Sequence, residues 1–405
     1  MRIVNGLLIT ACLLVVAAQG VFPARGTDAT SSQLPGARPA IDAAQYPSLQ
    51  AAIDALPAEG GLVRLPAGEF AIDQPLVVRR GDVCLEGVGT ATVIKNRNEA
   101  GQPAILLTHP EATDTRDRTK NLWRICLTNF RVIGNPKSGH GIQARLINEI
   151  LIHGVTSSYH GGDGMRLDFC YEDARVSDSL ITYNKKVGLN LQGCHDIVVS
   201  ANQFEENQDA LHCIDGFNLC MTGNCVDDHL GRGVVIENTY GSVVSGNMIE
   251  ECQSTAIELG RDCYGIALSA NVIAHNGAGI VLEDAHGCAV SANAFPLMKT
   301  DALRIGRNSG RIAVTGNSFS NSYIGEGAIK RGTDDIAAAG IVLDGTSDIG
   351  IAGNTLSGLT TPAVTVSGSA QRVLFTDNVL TDVESQHGKL GQPAERNAWQ
   401  PKAAR

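Results

Sequence analysis

Side chains able to bind and transform a substrate recur at nearly constant spacing through the middle of the chain. One series advances by 22 to 24 residues per step, and its polar members are Gln143, Arg166, Asn190, His212, Glu258 and Arg304. A second series, two residues later, contains Asp168, Gln192, Ile214 and Glu237. The turn beyond adds Tyr171, His195, Asp215, Tyr240, Arg261, His286 and Arg307. If the spacing is the period of a repeated unit, these side chains form a local patch on one surface.

This patch suits β-elimination on a polymer of uronic acids. The reaction needs a cation beside the substrate carboxylate, a base for the C5 proton and an acid for the leaving oxygen. Arg166 or Arg261 is predicted to neutralise the carboxylate. His212 is the predicted base, and Tyr240 is the predicted acid.

Hydrolysis is the second reaction that the patch could support. It needs two carboxylates that flank the glycosidic bond. Glu237 and Glu258 fall in successive repeats, which would place them ~5 Å apart along the stacking direction. Asp168, Glu237 or Glu258 could also hold Ca²⁺, because hard cations take oxygen ligands. The predicted substrate-binding residues are Asn190, Gln192, Arg261 and Arg304.

The element that positions these residues is an eight-residue phrase that recurs between 197 and 319. It reads IVVSANQF at 197–204 and SVVSGNMI at 242–249, and its sixth residue is Asn in each copy. These residues, with two later ones, are Asn202, Asn224, Asn247, Asn271, Asn293, Asn317, Asn354 and Asn378. Upstream the place is degenerate, with Ser179, Gly154 and Phe130. A fixed period of this length indicates a repeat architecture.

Each repeat is predicted to contain two or three short strands. The phrase alternates apolar and polar letters, and a further strand precedes it, as in GLNL at 188–191 and GVVI at 233–236. Stacking such units in register gives a parallel β-helix. We expect each Asn to occupy a tight left-handed turn and to hydrogen-bond its amide to the Asn one coil away.

Residues 46–70 read YPSLQAAIDALPAEGGLVRLPAGEF. Ser48 can cap a short amphipathic helix through Leu56, which would cover the open end of the core. This opening, with the coil repeat, resembles the pectate-lyase-like superfamily of right-handed parallel β-helix proteins. The resemblance implies an all-β, single-stranded right-handed solenoid of about eleven coils with a short N-terminal capping helix.

The resemblance is less specific for activity than for fold. The superfamily includes polysaccharide lyases, glycoside hydrolases, uronan epimerases, phage tailspikes and members without known activity. Polygalacturonase-type hydrolases carry NTD, DD, GHG and RIK in that order. Here Gly139-His140-Gly141 precedes Asp227-Asp228, which is the reverse order. The NTD and RIK motifs are missing, and so is the DPH motif of mannuronan epimerases. No catalytic role is therefore transferred from these motifs.

Composition and the chain ends narrow the class of protein. The 405 residues carry a net charge of −10 without a basic cluster, which argues against a nucleic-acid partner. Residues 1–20 have the pattern of a signal peptide, 21–44 of a flexible linker, 45–382 of the β-helix domain and 383–405 of a tail. We expect a secreted or periplasmic protein. A lipoprotein box ending at Cys12 is disfavoured by the apolar residues that follow it, and no later segment could span a bilayer.

Cysteines and insertions complete the sequence pattern. Cys170 and Cys194 fall at equivalent places of adjacent coils, which favours core stacking over disulfides. Two polar insertions, 108–122 and 322–336, interrupt the repeat, and long loops on a regular scaffold often line a site.

Two hypotheses for function follow. The first is a secreted lyase or hydrolase of an acidic polysaccharide, centred on Arg166, His212 and Glu258. The second is a non-catalytic β-helix that binds glycans or serves as a surface scaffold, because a solvated sheet needs polar side chains in any case. A third, a periplasmic metal-delivery accessory protein, lacks a His or Met cluster in the sequence.

Overall fold

A computed structural model of the protein describes residues 34–321, 337–384 and 398–400. The described residues from Arg38 onward belong to one compact unit. The predicted signal peptide, Cys12, most of the linker and the insertion 322–336 lie outside the described residues.

The described chain winds through three faces of parallel strands. The first-face strands are Leu76–Val78, Ile105–Leu107, Ile142–Arg145, Met165–Asp168, Val187–Gln192, Asp209–Ile214, Val234–Glu237, Thr255–Leu259, Ala278–Leu282 and Leu303–Ile305. The second-face strands are Ala40–Asp42, Gly61–Arg64, Val83–Glu86, Cys126–Thr128, Leu151–His153, Arg175–Ser177, His195–Ser200, Phe217–Thr222, Val243–Ser245, Ala267–Ser269, Ala289–Ser291 and Gly310–Thr315. Two long strands, Ile341–Ala352 and Val364–Thr376, pass through both faces.

The third face is the most regular. Its strands are Gly68–Ile72, Thr92–Asn96, Arg131–Ile133, Thr156–Ser158, Leu180–Thr182, Gln203–Glu205, Cys225–Asp227, Met248–Glu250, Val272–Ala274, Ala294–Pro296, Ser318–Ser320, Thr355–Ser357, Val379–Thr381 and Ala398–Gln400. Short strands at the corner between the first and second faces are Leu122–Trp123, Ile147–Asn148, Cys263–Tyr264 and Ala285–His286.

The predicted all-β parallel β-helix is confirmed, but the coil count was too low. Among the described residues the third face has 14 strands, one per coil, so the solenoid has about 14 coils rather than eleven. The missed coils lie mainly at the ends. There the strands at 68–72 and 92–96 pair in register without the Asn phrase that marks the middle coils.

The core is a stack of inward side chains. In the strand His195–Ser200, Ile197 and Val199 are buried, whereas Asp196 and Val198 are exposed. The same alternation continues from coil to coil, because the parallel register places like positions above one another. On the third face, the rings of Phe295 and Phe319 stack at 4.7 Å between centroids. Each coil therefore buries its apolar residues against its two neighbours.

The recurrent Asn residues form the predicted amide ladder at the corner between the second and third faces. The Nδ2 atom of Asn202 donates to Oδ1 of Asn224 at 3.0 Å, and Asn224 donates to Asn247 at 2.9 Å. The same bond continues through Asn271, Asn293, Asn317 and Asn354 to Asn378. Each Nδ2 also donates to a backbone carbonyl of the coil before it, as Asn247 does to Met221.

We predicted that the Asn itself takes the left-handed conformation at this corner. In the structure the residue before the Asn takes it instead. Ala201 has a φ of 55° and Gly246 a φ of 68°. Upstream, Gly154 takes the left-handed place with a φ of 62°, so the ladder position there is Val155. The backbone N–H of Val155 donates to Oγ of Ser179. The Asn follows the bend and satisfies the backbone groups that the bend leaves unpaired.

A second ladder, which we did not predict, lies at the corner between the third and first faces. Asn184 donates from Nδ2 to Oδ1 of Asn207 at 2.8 Å, and the backbone N–H of Asn207 donates to Nδ1 of His229 at 3.2 Å. The N–H of His160 donates to Oδ1 of Asn184 at 3.1 Å. Burial lowers the pKa of both His160 and His229 to about 4, so both rings are neutral at physiological pH.

The ends of the predicted domain differ in detail from the structure. The N-terminal helix runs from Leu49 to Asp54, two residues shorter than predicted, with Oγ of Ser48 accepting from the N–H of Ala51. Its residues Leu49, Ala52 and Ile53 pack into the core. The strand Ala40–Asp42 lies inside the predicted linker 21–44, and the strand Ala398–Gln400 lies inside the predicted tail 383–405. Three short 3₁₀ turns cover Ala43–Gln45, Gly89–Ala91 and Arg118–Lys120.

We predict that Asn247→Ala lowers the free energy of unfolding by about 2–4 kcal/mol, because it leaves the buried N–H of Asn224 and C=O of Met221 without partners. Denaturant unfolding followed by circular dichroism measures the change. Gln253→Ala, at an exposed position of the same region, is the control and is expected to shift it by less than about 0.5 kcal/mol. Equal effects of the two substitutions would show that the ladder does not stabilise the coil.

Candidate functional site

The polar series predicted from the sequence forms one column on the first face. Strand pairing places Arg166 beside Asn190, Asn190 beside His212, and His212 beside Val235. Val235 then pairs with Glu258, and the column continues through Val281 to Arg304. The predicted register is therefore confirmed residue by residue, and contacts between columns decide which of these residues act together.

His212 and Glu258 belong to one charged network, which we call the central cluster: Asp209, His212, Arg232 and Glu258. Nε2 of His212 lies 2.8 Å from Oδ2 of Asp209. The guanidinium of Arg232 donates to the same oxygen from NH2 at 3.0 Å and contacts Oε1 of Glu258 from NH1 at 3.3 Å. Val235, between them in the column, is buried beneath these side chains. Two of the predicted catalytic residues are thus linked by an acid and an arginine.

Asp209 remains ionised at all ordinary pH values. Burial raises the pKa of this carboxyl, but the hydrogen bond from His212 and the backbone and side chain of Arg232 outweigh burial and lower the pKa to about 2. Because the carboxylate accepts from Nε2, the neutral imidazole of His212 carries its proton on Nε2. Its Nδ1 is then the basic nitrogen.

A second network lies toward the N-terminus and contains Asp163, Arg166, Asp168 and Asn190. The carboxylate of Asp163 is buried and accepts from Nδ2 of Asn190 at 3.1 Å. Arg166 donates from Nε to both oxygens of Asp168, at 2.9 and 3.1 Å. His140, from the GHG triplet, places Nδ1 3.3 Å from Oδ2 of Asp163. Arg166 therefore lies near Asn190, a predicted substrate-binding residue, but already has carboxylate partners.

The other predicted residues fall into separate clusters. Arg304 pairs with Asp301 at 2.9 Å and with Asp344 at 3.8 Å, two coils beyond Glu258. Arg261 contacts Asp215 at 3.3 Å and Glu237 at 3.9 Å. Gln192 donates to Asp215 at 2.9 Å. Gln192, Asp215, Glu237 and Arg261 form what we call the polar row, which lies at the corner beside the central cluster. Arg304 remains in the column.

The prediction that Tyr240 serves as the acid beside His212 is not supported by its contacts. Its ring lies past the corner, with its centroid 4.3 Å from that of Phe217. In the predicted turn series, Phe217 and Tyr264 occupy the places assigned to Asp215 and Arg261. The Tyr264 coil has one extra residue before its ring, and Phe217 lies two residues beyond the predicted Asp215, so a fixed count from the strand does not locate these rings.

The acidic residues predicted as possible cation ligands do not converge on one point. Asp168 pairs with Gln192, Gln192 with Ile214, and Ile214 with Glu237. Asp168 and Glu237 are therefore three coils apart, ~14 Å at the usual strand spacing. Glu237 and Glu258 also stand in different columns and pair with different arginines. Within the described residues, the acidic groups that converge are Asp227, Asp228 and Glu251, beside the third face.

Asp163, Asp209 and Arg232 were not predicted, although the sequence contains a signal for the two acids. Asp163, Asp209 and Asp301 each precede a column residue by three positions, and each pairs with it: Arg166, His212 and Arg304. The repeated i, i+3 pairing indicates a row of acids at the start of the first face. The cysteines follow the predicted pattern, since Cys170 and Cys194 are buried thiols in adjacent coils.

Comparisons with known proteins agree with this architecture. The family described as right-handed β-helix region matches residues 83–239, and the family described as periplasmic copper-binding protein (NosD) matches residues 173–337. No curated protein sequence matches the chain. The described residues contain no helix that is both long and apolar enough to cross a membrane.

Three solved structures share the fold at low sequence identity. A mannuronan C-5 epimerase A-module from Azotobacter vinelandii has a TM-score of 0.61 and 16% identity over 84% of this chain and 99% of its own. DFA-IIIase from Arthrobacter chlorophenolicus, without its lid, has a TM-score of 0.54 and 15% identity over 91% and 100%. Tailspike protein 2 of an Escherichia coli O157:H7 bacteriophage has a TM-score of 0.52 and 16% identity over 73% and 43%.

The fold, the repeat and these matches define the class. The chain has a right-handed parallel β-helix fold, like that of pectate-lyase-like proteins. Its neighbours in structure include proteins that act on polysaccharides, and one matching family is periplasmic.

We predict that Asp209→Asn lowers the free energy of unfolding by about 2–4 kcal/mol at neutral pH, because it breaks a buried ion pair. The pKa of Asp209 is lower in the folded chain, about 2, than its ordinary value of 3.8. Its stabilisation, about 2 kcal/mol, is therefore present above pH 4 and lost as the pH falls from 4 to 2.

Denaturant unfolding at a series of pH values tests this prediction. The variant should lose the part of the acid slope that Asp209 contributes. Asp215→Asn is the matched control, since Asp215 also accepts from an arginine but is largely exposed, and it should cost less than about 1 kcal/mol. An unchanged acid slope in Asp209→Asn would contradict the prediction.

Proposed function

We propose that the protein is an exported carbohydrate-active enzyme that cleaves an acidic polysaccharide at the central cluster. The observation that carries this proposal is the His212–Asp209 pair at 2.8 Å, within reach of an arginine and a second carboxylate. An ionised acid beside an imidazole fixes the tautomer and orientation that a general base needs. The solved structures with this fold add support, because one of them is a mannuronan C-5 epimerase.

The proposed step is β-elimination. Nδ1 of His212 takes the C5 proton of a uronate residue, and Asp209 stabilises the imidazolium that forms. The electron pair of the C5–H bond forms the C4–C5 double bond, the C4–O bond breaks, and the leaving oxygen takes a proton from water. Arg166 or Arg232 would neutralise the substrate carboxylate in exchange for one of its present acidic partners. Asn190, two coils before Val235, would orient the sugar.

Hydrolysis is the alternative reaction at the same cluster. Glu258 stands two coils from His212, ~9.6 Å at the usual spacing, and it has a single arginine contact at 3.3 Å. In hydrolysis Glu258 would be one carboxylate of the acid–base pair, and the glycosidic bond would lie across the column. Arg304, further along the column, remains a proposed substrate contact in both reactions.

We predict that His212→Ala lowers the rate of product formation on the responsive polyuronate at least ~100-fold, the usual contribution of a general base. The assay records unsaturated-product absorbance and reducing ends, with and without Ca²⁺, over a panel of polyuronates and neutral glycans. His153→Ala is the matched control, because His153 also pairs with an aspartate at 3.3 Å but on the second face.

The outcomes separate the reactions. Absorbance lost in His212→Ala identifies a lyase, whereas reducing ends without absorbance, lost in Glu258→Gln, identify a hydrolase. C5 inversion without cleavage would indicate epimerisation from the same proton transfer. A folded protein that is silent across the panel would favour the non-catalytic glycan-binding or scaffold alternative.

A second candidate function is copper binding, which the match over residues 173–337 suggests. Within that range the strands Cys225–Asp227 and Met248–Glu250 pair so that Cys225 lies beside Met248, and both are half-buried on the outer side of the third face. Thiolate and thioether sulfur are the ligands that Cu(I) prefers. These two residues fit a Cu(I) donor pair better than the oxygen-rich first face does.

We predict that Cys225→Ser weakens Cu(I) binding at least ~10-fold in competition with a chromophoric chelator, because it replaces a soft ligand by a hydroxyl. Cys220→Ser, at an exposed cysteine on the second face, is the control and should bind as the wild type does. Equal copper affinity in both variants would remove this candidate.

A further inference from the structure

An outward row of rings runs along the corner between the first and second faces. Its members, which we call the aromatic row, are Tyr171, His195, Phe217, Tyr240, Tyr264 and His286. Neighbouring centroids lie 4.3–4.4 Å apart from Tyr171 to Tyr240, and 5.3 Å apart between Tyr264 and His286. The central cluster uses none of these residues.

The row is closed at one end and open over its later half. The guanidinium carbon of Arg118, from the insertion 108–122, lies 3.5 Å from the ring centroid of Tyr171, and that ring is buried. Tyr240 and Tyr264 are 40% and 42% exposed. Contiguous exposed rings on a protein surface usually mark a binding site.

Small residues keep the surface beside the exposed rings free. The residue after each ring has a left-handed backbone conformation. It is Asp196 or Asn218 in the earlier coils, and Gly241, Gly265 or Gly287 in the later ones. A Cβ added at Gly265 or Gly287 would have no heavy atom within 4 Å. A ligand can therefore approach the backbone and the exposed parts of the Tyr240 and Tyr264 rings in this stretch.

The polar row described above borders the rings on the other side. Asp215 accepts from Nδ2 of Asn238 at 2.8 Å, from Gln192 and from Arg261. The charge of Arg261 is matched by Asp215 and Glu237. These groups can exchange hydrogen bonds with hydroxyls, but they offer no unmatched cation for a carboxylate.

A cavity continues the row at its open end. It has a volume of about 310 Å³ and is lined by His286, Asn308, Arg311, Asp348 and Gln371, among others. This volume is at the lower end of the range for small-molecule sites and suits one sugar ring with its hydroxyls.

We propose that the aromatic row binds an extended glycan chain along the coil axis, with a terminal sugar in the cavity beside His286. Coils repeat every ~4.8 Å, close to the length of one pyranose unit in an extended chain, so each ring can contact one sugar. Apolar sugar faces lie on the rings, and hydroxyls meet the polar row. The inference rests on the proposed function only in taking a carbohydrate as ligand, and the row is a site separate from the central cluster.

Calorimetric titration with di-, tetra- and hexasaccharides of a neutral β-1,4-linked glycan and of a polyuronate tests the proposal on the full chain. Affinity should rise from the disaccharide to the tetrasaccharide, since the open half of the row holds Tyr240, Tyr264 and His286 beside the cavity, and then level off. Binding along the polar row should change little with salt, because Arg261 is matched there by Asp215 and Glu237. Tyr264→Ala should weaken tetrasaccharide binding about 5- to 10-fold.

Gly265→Asn provides a second variant that keeps the rings. Asn tolerates the left-handed backbone, and its side chain would obstruct the surface beside Tyr264. Gly223→Asn is its matched control, because Gly223 has a φ of 65° and equally open surroundings, but lies at the Asn-ladder corner. Weaker binding in Gly265→Asn with unchanged binding in Gly223→Asn supports the proposal.

Two results would overturn it. The first is equal glycan affinity in wild type, Tyr264→Ala and Gly265→Asn. The second is a self-association in sedimentation that Tyr264→Ala abolishes, without any glycan binding, since the row would then contact a second copy of the chain. Failure of the proposed catalysis is a separate result: His212→Ala should retain oligosaccharide binding whether or not the wild type turns over substrate.

Discussion

The structure depends on closing a left-handed corner in every coil without leaving buried backbone groups unpaired. At the corner between the second and third faces, a residue such as Ala201 or Gly246 takes the left-handed conformation, and the following Asn spans two coils. Its side-chain carbonyl oxygen accepts from the coil before. Its amide donates to a backbone carbonyl of the coil before and to the Asn of the coil after. Because each side chain links its neighbours, the register of one coil fixes that of the next.

A fixed register turns sequence period into geometry. Residues one period apart become neighbours at strand spacing, so Arg166, Asn190, His212 and Glu258 stand on one line. What differs between coils is which groups flank the line. Asp209 and Arg232 make the middle of the column a coupled acid–base network, whereas Val281 gives the column an apolar residue in the coil after Glu258.

The two candidate surfaces use opposite chemistry on the same scaffold. The central cluster combines an imidazole with an aspartate whose pKa is held near 2, which suits proton transfer. The aromatic row offers ring faces and charge-matched polar groups, which suit recognition of hydroxylated rings. They are separated by a single corner, so one long glycan could contact both surfaces, with chemistry at the first and affinity from the second.

The sequence by itself determined the period, the strand alternation, the Asn ladder and the membership of the His212 column, because parallel stacking makes these a matter of counting. It did not determine the coil count at the ends, because the strands at 68–72, 92–96 and 398–400 lie outside the recurrent phrase. Only the tertiary structure decided which side chains pair, since Tyr240 lies past the corner and the extra residue before Tyr264 shifts the count. Pairing across columns depends on where the chain bends, and a bend is set by backbone conformation rather than by residue spacing.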